Sequence, residues 1–554
     1  MQFNEANPLA ASCLGIAARV GNEKAVQKLL KGGRHVNIGD NRGWTPLHEA
    51  AAASNIGCLH LLLKKGRRYV NQRTMEGETP LLLACMHQDS MELVCMLLNH
   101  GADVKLGNNE NHTPLHEVCK NGKFQLAKIL IEARANLNEK NYNDMTPLHF
   151  AVSSENATLV NYLISKGADV SIQDEVGRTP LFLASELGNW NVAEPIVTAC
   201  QSVDTRYTTY RAVDGATALM LAAQHGNLKL VEELLEKGAN PNVAANDHTT
   251  ALHLAIHSGH LSIVKLLLKV TSRDSLFHQC THPNADVSRS LCCLAIDSGC
   301  LDVLKILLSS DLGNEILHLP VCYDATPKSQ PRLELLYSEC SPVSFLLSTK
   351  MDELKDDIIV YLDLLLSHGF PVNVTKRQSL PPLVAAMLEP SHKHLSSHCV
   401  DMLLAHGADI DYTTTCARVP DPLLAACVSG HCSGVLQLLR AGSNGLPDDL
   451  LRRLVMHDHL DPPTPMLINV VLLLLKLGIT EPDLYCKLQQ YFPETSSNIQ
   501  IKAVAELLAP VQMCSLQQLC RVAVRRCLSQ PLSQALKQLP VPHCIKNYLT
   551  YETL

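Results

Sequence analysis

A short motif recurs through the first half of the chain at a nearly constant spacing, and this repetition constrains the fold more than any other feature. The motif is Thr-Pro-Leu-His, and its strict and relaxed copies begin at Thr45, Thr79, Thr113, Thr146, Thr179, Thr217 and Thr250. The first five copies are separated by 34, 34, 33 and 33 residues. Such a period predicts an array of small units, each of which is stable only when it packs on its neighbours.

Each unit carries the signals of two helices joined by a turn. The threonine can cap a helix, and the proline after it suits the first helical turn. A second stretch with apolar residues at helical spacing follows, for example at residues 230–235. It ends at a glycine such as Gly238, the residue with which helices often terminate. These signals predict an all-α fold.

We call the first residue of each motif copy its anchor. Looser copies of the motif extend the array in both directions. Ser12 lies 33 residues before Thr45, and four later anchors are Ser290, Ser341, Pro381 and Asp421, which makes twelve in all. Extra residues between the late anchors fall near 271–287, 310–338, 348–358 and 389–398. Insertions in such arrays map to loops, often on the binding face. Residues 446–510 carry helical patterns without the motif, and we interpret them as degenerate repeats that cap the array.

This combination of motif, period and helix order resembles the ankyrin repeat. The resemblance predicts an ankyrin-repeat solenoid over residues 8–445, with about twelve repeats that are stretched after residue 270. It also makes the concave groove, formed by the first helices and the turn tips, the expected site for a target protein.

Composition excludes several other functions. The net charge of the 554 residues is −7, which gives no support to nucleic-acid binding. The most apolar run, residues 470–475, is far shorter than a membrane span, so membrane insertion is not expected. No signal peptide is recognisable, and the 21 cysteines include no Cys-x-x-Cys pair, which favours a cytoplasmic protein with reduced thiols.

Three groups of residues invite a chemical interpretation. The motif histidines His48, His116, His149 and His253 recur once per unit, which favours hydrogen bonding to the neighbouring turn. The stretch 430–434, Gly-His-Cys-Ser-Gly, imitates a nucleophile elbow but falls in a turn between two repeat helices. His392, His394, His398 and Cys399 could hold zinc, but no second spaced ligand pair accompanies them, so we predict no metal site.

The last forty residues pose a separate question, since they carry more apolar surface than so short a segment can bury. A predicted helix begins after Ser515, and its apolar stripe comprises Leu516, Leu519, Cys520, Ala523, Val524, Cys527 and Leu528. A Leu-Pro-Val-Pro corner follows at residues 539–542, and Ile545, Tyr548 and Leu549 close the segment. This segment must pack either on the array or on another protein.

The order of these elements resembles the SOCS box. Residues 515–528 are similar to its BC box, and residues 539–549 are similar to its cullin-5 box. With the repeats before it, the chain resembles the ankyrin repeat and SOCS box family along nearly its whole length. The resemblance places a helical SOCS box at residues 511–554.

The resemblance implies a noncatalytic substrate receptor of a ubiquitin ligase, without a cofactor of its own. The BC box would bind elongin C, which is itself bound to elongin B, through Leu516, Leu519, Cys520, Ala523 and Val524. The cullin-5 box would help to bind cullin-5 with its RING protein through Leu539, Pro540, Val541, Pro542, Ile545, Tyr548 and Leu549. The array would hold a protein substrate for ubiquitination and proteasomal degradation.

Two other functions remain open from the residues alone. The chain could be an ankyrin scaffold or inhibitor that recruits no ligase, with its tail as a cap on the array. A cap should have a polar outer face, and this interpretation leaves the corner at 539–542 without a role. The chain could also be an enzyme that uses the residues at 430–434 or at 392–399.

Overall fold

A computed structural model describes residues 12–87, 90–200, 215–276, 290–317, 321–323, 338–373, 381–388, 393–411, 421–429 and 431–441. In this part of the chain, a helix begins directly after each of the twelve anchors, and a second helix follows it. The chain divides into two compact units between Ser275 and Leu276. The first unit contains the regular repeats, and the second contains the stretched ones.

The described residues of the first unit form eight helix pairs. The first helices of the pairs are α1 Cys13–Arg19, α3 Pro46–Ala52, α5 Pro80–His87, α7 Pro114–Lys120, α9 Pro147–Ser153, α11 Pro180–Leu187, α13 Ala218–Gln224 and α15 Ala251–His257. The second helices are α2 Glu23–Lys31, α4 Ile56–Gly66, α6 Met91–Asn99, α8 Phe124–Glu132, α10 Ala157–Ser165, α12 Trp190–Ala199, α14 Leu228–Glu236 and α16 Leu261–Val270. A short 3₁₀ helix, Arg67–Tyr69, follows α4. Each first helix packs against the next first helix, and each second helix packs against the next second helix.

In the second unit, the residues that the structure describes show the same pairing in four further pairs. Their first helices are α17 Leu291–Asp297, α20 Pro342–Thr349, α23 Pro382–Leu388 and α25 Pro422–Val428. Their second helices are α18 Leu301–Leu308, α22 Ile358–Ser367, α24 Lys393–Ala405 and α26 Cys432–Ala441. Between the first and second of these pairs lie α19 Asn314–Leu317 and the strands β1 Val321–Tyr323 and β2 Ser338–Cys340. Within the second pair, α21 Met351–Leu354 and the 3₁₀ helix Lys355–Asp357 lie between α20 and α22.

The helices begin where the sequence supplies a cap. The hydroxyl of Ser12 accepts from the amide of Gly15 at 3.0 Å, and the hydroxyl of Thr179 accepts from the amide of Phe182 at 3.2 Å. Proline directly after the anchor costs no hydrogen bond, because the first amides of a helix have no partner within it. The helix starts of the regular repeats are therefore encoded locally.

The core runs along the contact between first and second helices. Leu47 and Leu62 are fully buried in the second repeat, and Leu97, Leu130 and Leu163 are fully buried in the next three repeats. Burying a leucine side chain stabilises a fold by roughly 1.5–3 kcal/mol. Because every repeat contributes such residues, the core is continuous along the unit rather than gathered at one centre.

The all-α prediction is confirmed, with one small addition. Strands β1 and β2 pair antiparallel, with Cys322 opposite Glu339, near an insertion that the sequence predicts as a loop. The sequence also predicts a loop at residues 389–398. This prediction is wrong for residues 393–398, which form the start of α24. The buried hydroxyl of Ser396 donates to the carbonyl oxygen of Ala386, which ties this helix start to α23.

Two further observations concern the described part of the chain. None of its helices is both long and apolar enough to cross a membrane. The ten cysteines whose side chains are described form no disulfide, and burial raises the pKa of the thiols of Cys85 and Cys292 to about 12. These thiols are protonated at neutral pH and behave as small apolar core residues.

Candidate functional site

The motif histidines bind neighbouring backbone groups instead of projecting into an open site. The backbone amide of Thr45 donates to Nδ1 of His48 at 3.0 Å, so this ring nitrogen carries no proton. The opposite nitrogen, Nε2, therefore carries the proton and donates to the carbonyl oxygens of Gln72 at 2.9 Å and Glu78 at 3.2 Å. His116 makes the equivalent bonds to Glu139 and Met145. His149 likewise bonds to the carbonyl oxygen of Arg178, so these three histidines tie the start of their own helix to the turn of the next repeat, as the sequence predicts.

Burial keeps these histidines neutral. It lowers the pKa of His48 to about 4 and that of His116 to about 4, because the charged imidazolium would lose its hydration. The pKa of His149 is also lowered, again chiefly by burial. Both ring nitrogens are engaged and the rings do not ionise near neutral pH. His48, His116 and His149 are therefore unsuited to general acid–base catalysis.

The turns before the first helices are joined in a row by backbone hydrogen bonds. The amide of Met75 donates to the carbonyl oxygen of Arg42 at 2.9 Å. The same bond recurs in the next three turns, from Asn109 to Glu76, from Tyr142 to Glu110 and from Glu175 to Asn143. This row holds the turn tips in fixed positions beside one another. We call the surface formed by the turn tips and the first helices of the first unit the turn-tip face.

Large apolar side chains project from this row. Met75 is 69% exposed and Tyr142 is 75% exposed. A tyrosine on a rigid backbone can supply much contact area at little entropic cost. The two residues are therefore candidate contact points for a bound protein on the turn-tip face.

Buried charges lie beneath the same face at the first two repeats. Glu49 and Asp40 have side chains only 3% and 1% exposed, and two arginines neutralise them. Arg19 donates from Nε to Glu49 at 2.7 Å, and Arg42 donates to Asp40 at 2.8 Å and to Glu49 at 3.3 Å. The guanidinium of Arg42 also lies 4.4 Å from the centre of the Trp44 ring. This cluster fixes the first turn against α1 and α3.

A second buried polar group lies at the fourth repeat. The amide nitrogen of Asn141 is 2.8 Å from Nε2 of His112 and can only donate, so the ring proton is on Nδ1. That proton is donated to Glu117 over 3.2 Å. Burial alone would raise the pKa of Glu117, but the His112 bond and the nearby positive charge of Lys120 leave it lowered. The result is a satisfied structural network that links two successive turns.

A groove of about 350 Å³ opens on the turn-tip face among the sixth, seventh and eighth repeats. Its apolar lining includes Phe182, Met220 and Leu254, and two exposed carboxylates, Glu186 and Asp247, also line it. This volume is at the lower end of the roughly 300–1,000 Å³ found for ligand pockets.

The sequence explains why the groove has an apolar lining. Phe182 and Met220 occupy the motif position that His48 and His116 hold in earlier repeats. A phenylalanine or a methionine cannot donate to the next turn, so the polar link that the histidines make between repeats is missing at both positions. Instead of forming such a link, Phe182 and Met220 contribute apolar surface to the groove.

Only two of the four residues considered for zinc, His398 and Cys399, have side chains that the structure describes. His392 lies outside the described residues, and the structure does not describe the side chain of His394. His398 is exposed, whereas Cys399, its neighbour in α24, is fully buried with a thiol pKa raised to about 12 by burial. Within the described ranges, no group of His, Cys, Asp or Glu side chains is arranged to hold a metal ion.

The stretch that imitates a nucleophile elbow is a helix start. Cys432 is the first residue of α26, and the buried His431 before it accepts from the amide of Gly434 at 2.8 Å. His431 therefore caps this helix. A nucleophile elbow requires a strand that leads into the helix, and the element before this turn is the helix α25. Gly430 lies outside the described residues.

The predicted docking residues of the tail lie outside the described residues as well. For elongin C they are Leu516, Leu519, Cys520, Ala523 and Val524. For cullin-5 they are Leu539, Pro540, Val541, Pro542, Ile545, Tyr548 and Leu549. Both sets therefore remain predictions from sequence, as do residues 446–510 as a cap.

Comparison with known families supplies the evidence for this part of the chain. A family model described as ankyrin repeats (3 copies) matches residues 14–108, 88–174, 181–278 and 245–320, which together cover more than half of the 554 residues. A second model, described as SOCS box, matches residues 512–550. The chain belongs to the ankyrin repeat and SOCS box family. The SOCS box therefore follows the ankyrin repeats in the chain, which is the order that the sequence predicts.

The matches to individual relatives cover a smaller part of the chain than the family models do. Ankyrin repeat and SOCS box protein 3 of Homo sapiens is 43% identical over 117 residues, 21% of this chain and 22% of the relative. The Bos taurus protein of the same name is 40% identical over 117 residues, with the same shares. The matches therefore span about a fifth of these relatives' length. Among solved structures, the crystal structure of the human ASB11 ankyrin repeat domain is 28% identical, with a TM-score of 0.36, and the match covers 42% of this chain and 99% of that one.

Sequence reasoning missed the exposed tip residues and the groove. The residue directly after the four-residue motif carries part of the signal. It is Glu49 in the second repeat and Glu117 in the fourth, but Leu221 and Leu254 in the seventh and eighth. It is also apolar in the third and fifth repeats, at Leu83 and Phe150, so this position alone does not locate the groove.

Proposed function

We propose that this protein is a substrate-recognition adaptor of an elongin B/C–cullin-5 RING ubiquitin ligase that acts in the cytoplasm. The observation that carries the proposal is the match of residues 512–550 to the SOCS box, after an array of ankyrin repeats. The chain contributes binding alone, and catalysis belongs to its partners. Substrates bound to the array are ubiquitinated and then degraded by the proteasome.

The tail has the physical properties of a docking segment. Leu516 can act as an anchor in a pocket of elongin C, since one buried side chain commonly carries much of an interface's energy. Cys520, one helical turn later, is small enough to let a partner helix approach closely. Pro540 and Pro542 restrict the corner that contacts cullin-5, so little conformational freedom is lost on binding.

The array has the properties of a rigid recognition surface. Hydrogen-bonded turns hold Met75 and Tyr142 in place, and the bonds of His48, His116 and His149 fix three of the turns to the preceding helices. Proximity is then sufficient for function. A substrate on the array is brought near the ligase core, and a lysine of the substrate receives ubiquitin.

Co-expression with elongins B and C tests the docking residues. We expect Leu516→Ala to reduce elongin recovery at least about tenfold, because the anchor side chain is lost. Gln518→Ala, on the same predicted helix but outside the apolar stripe, is the matched control and should retain full recovery. Replacement of residues 539–542 by alanine should weaken cullin-5 recovery and spare the elongins, because the two boxes form separate surfaces.

Two results would count against the adaptor. If Leu516→Ala leaves elongin recovery unchanged, the BC box assignment fails, and the plain ankyrin scaffold becomes the better interpretation. If the alanine replacement at 539–542 lowers elongin and cullin-5 recovery equally, the two boxes do not act as separate surfaces.

A further inference from the structure

The groove on the turn-tip face combines an apolar lining with two carboxylates that no cation of the described residues neutralises. Glu186 lies in the last turn of α11, and Asp247 lies in the turn before α15. Neither forms an ion pair with any residue that the structure describes. Asp247 instead accepts from the amide of Thr249 at 2.9 Å and from its hydroxyl at 2.6 Å.

The one arginine among the lining residues is already neutralised. Arg178 donates from Nε to Asp174 at 2.8 Å, and the side chain of Asp174 is only 1% exposed. A buried carboxylate holds its cation firmly, because separating the two would leave a charge without hydration. Arg178 is therefore not free to neutralise Glu186 or Asp247, and the groove keeps a negative potential.

An apolar lining beside two carboxylates favours a partner segment that carries positive charge. A neutral or acidic segment that covered the apolar lining would remove water from Glu186 and Asp247 without replacing its hydrogen bonds, which is costly. A segment with lysine or arginine next to a large apolar residue avoids that cost, since its cation pairs with the carboxylates as its apolar side chain fills the groove.

We propose that the groove among the sixth, seventh and eighth repeats binds a protein segment in which a large apolar side chain is flanked by lysine or arginine. The proposal rests on the proposed function, because it names the class of substrate segment that the adaptor's array recognises. The apolar side chain packs on Phe182, Met220 and Leu254. The cations of the segment pair with Glu186 and Asp247.

Selection from a random displayed peptide library against the immobilised full-length protein tests this proposal. The enriched peptides should place lysine or arginine within a few residues of leucine, methionine or an aromatic residue. The double variant Glu186→Lys, Asp247→Lys should bind them at least about tenfold more weakly, because attraction becomes repulsion. Glu232→Lys, on the second helix of the seventh repeat and outside the groove, is the matched control and should bind normally.

A second variant keeps the test valid if the double variant folds poorly. Leu221→Gln removes apolar lining from a half-buried position without changing any charge, and it should also weaken binding. Enrichment of acidic or uncharged peptides would overturn the proposal. So would the absence of any enriched peptide, or equal binding by the wild type, Leu221→Gln and the double variant.

Measuring elongin recovery on the same preparations separates the two proposals. If elongins are recovered and the peptides ignore the groove variants, the groove proposal fails and the adaptor stands. If the wild type recovers no elongins yet binds basic–apolar peptides through the groove, the adaptor fails and the groove remains a peptide-binding site.

Discussion

Lowering the pH from 6.5 to 4 is expected to destabilise the first unit by several kcal/mol. His48 and His116 have a pKa of about 4 in the folded chain, against an ordinary value of 6.5. Between these values the unfolded chain binds protons that the folded chain does not, so the free energy of unfolding falls as the pH falls. Each histidine contributes about 1.4 kcal/mol per pH unit in this window, and neither contributes to the pH dependence above it.

Chemical denaturation followed by circular dichroism at a series of pH values measures this effect. Carboxylates such as Glu117, whose pKa is lowered, also lose their stabilising charge in acid, so the raw slope alone is not decisive. The double variant His48→Gln, His116→Gln removes both titrating rings, and it should show a clearly smaller loss of stability between pH 6.5 and 4. Identical pH dependence in the variant and the wild type would show that these histidines are not held neutral by the fold.

Arg42→Ala is expected to lower the stability of the first two repeats by about 2–3 kcal/mol, since it leaves Asp40 without its cation. The expected loss lies below the usual cost of breaking a buried pair for two reasons. Asp40 keeps hydrogen bonds from the amides of residue 42 and Trp44, and Glu49 keeps Arg19. The stacking of Arg42 on Trp44 is lost as well, which adds to the cost.

Denaturant midpoints of three variants test this prediction. Arg42→Lys keeps the charge but cannot form the forked contact with Asp40, so it should be intermediate. Arg34→Ala removes an exposed arginine that forms no ion pair with any described residue, and it should change stability by less than about 0.5 kcal/mol. If Arg42→Ala is no more destabilising than Arg34→Ala, the cluster does not stabilise the fold.

Helix starts could be predicted because their signals are local. Thr179 and Pro180 specify a cap and a first turn without reference to the rest of the chain, and α11 begins there. The role of the motif histidines could also be predicted, since recurrence once per unit is typical of a structural position. The start of α24 could not, because its first residues are polar and the bond from Ser396 to Ala386 joins positions ten residues apart.

The groove and the buried charge cluster depend on contacts between repeats. Nothing near Glu49 in the sequence indicates that Arg19, thirty residues earlier, neutralises it. Likewise, Glu186 and Asp247 are 61 positions apart, and only the stacking of repeats brings both to one groove. The tail is the opposite case, since its apolar stripe and its corner are recognisable from residues 515–554 alone.

In the function that we propose, the tail brings the substrate bound to the array to a ubiquitin ligase. The most direct measurement is quantitative affinity capture from cells with the intact chain and with a chain that lacks residues 515–554, each with and without proteasome inhibition. We expect both chains to capture the same substrates, only the intact chain to capture elongins, and proteasome inhibition to increase substrate recovery only with the intact chain. Equal elongin recovery by both chains, or substrate levels that respond to neither the tail nor the inhibitor, would contradict the proposed function.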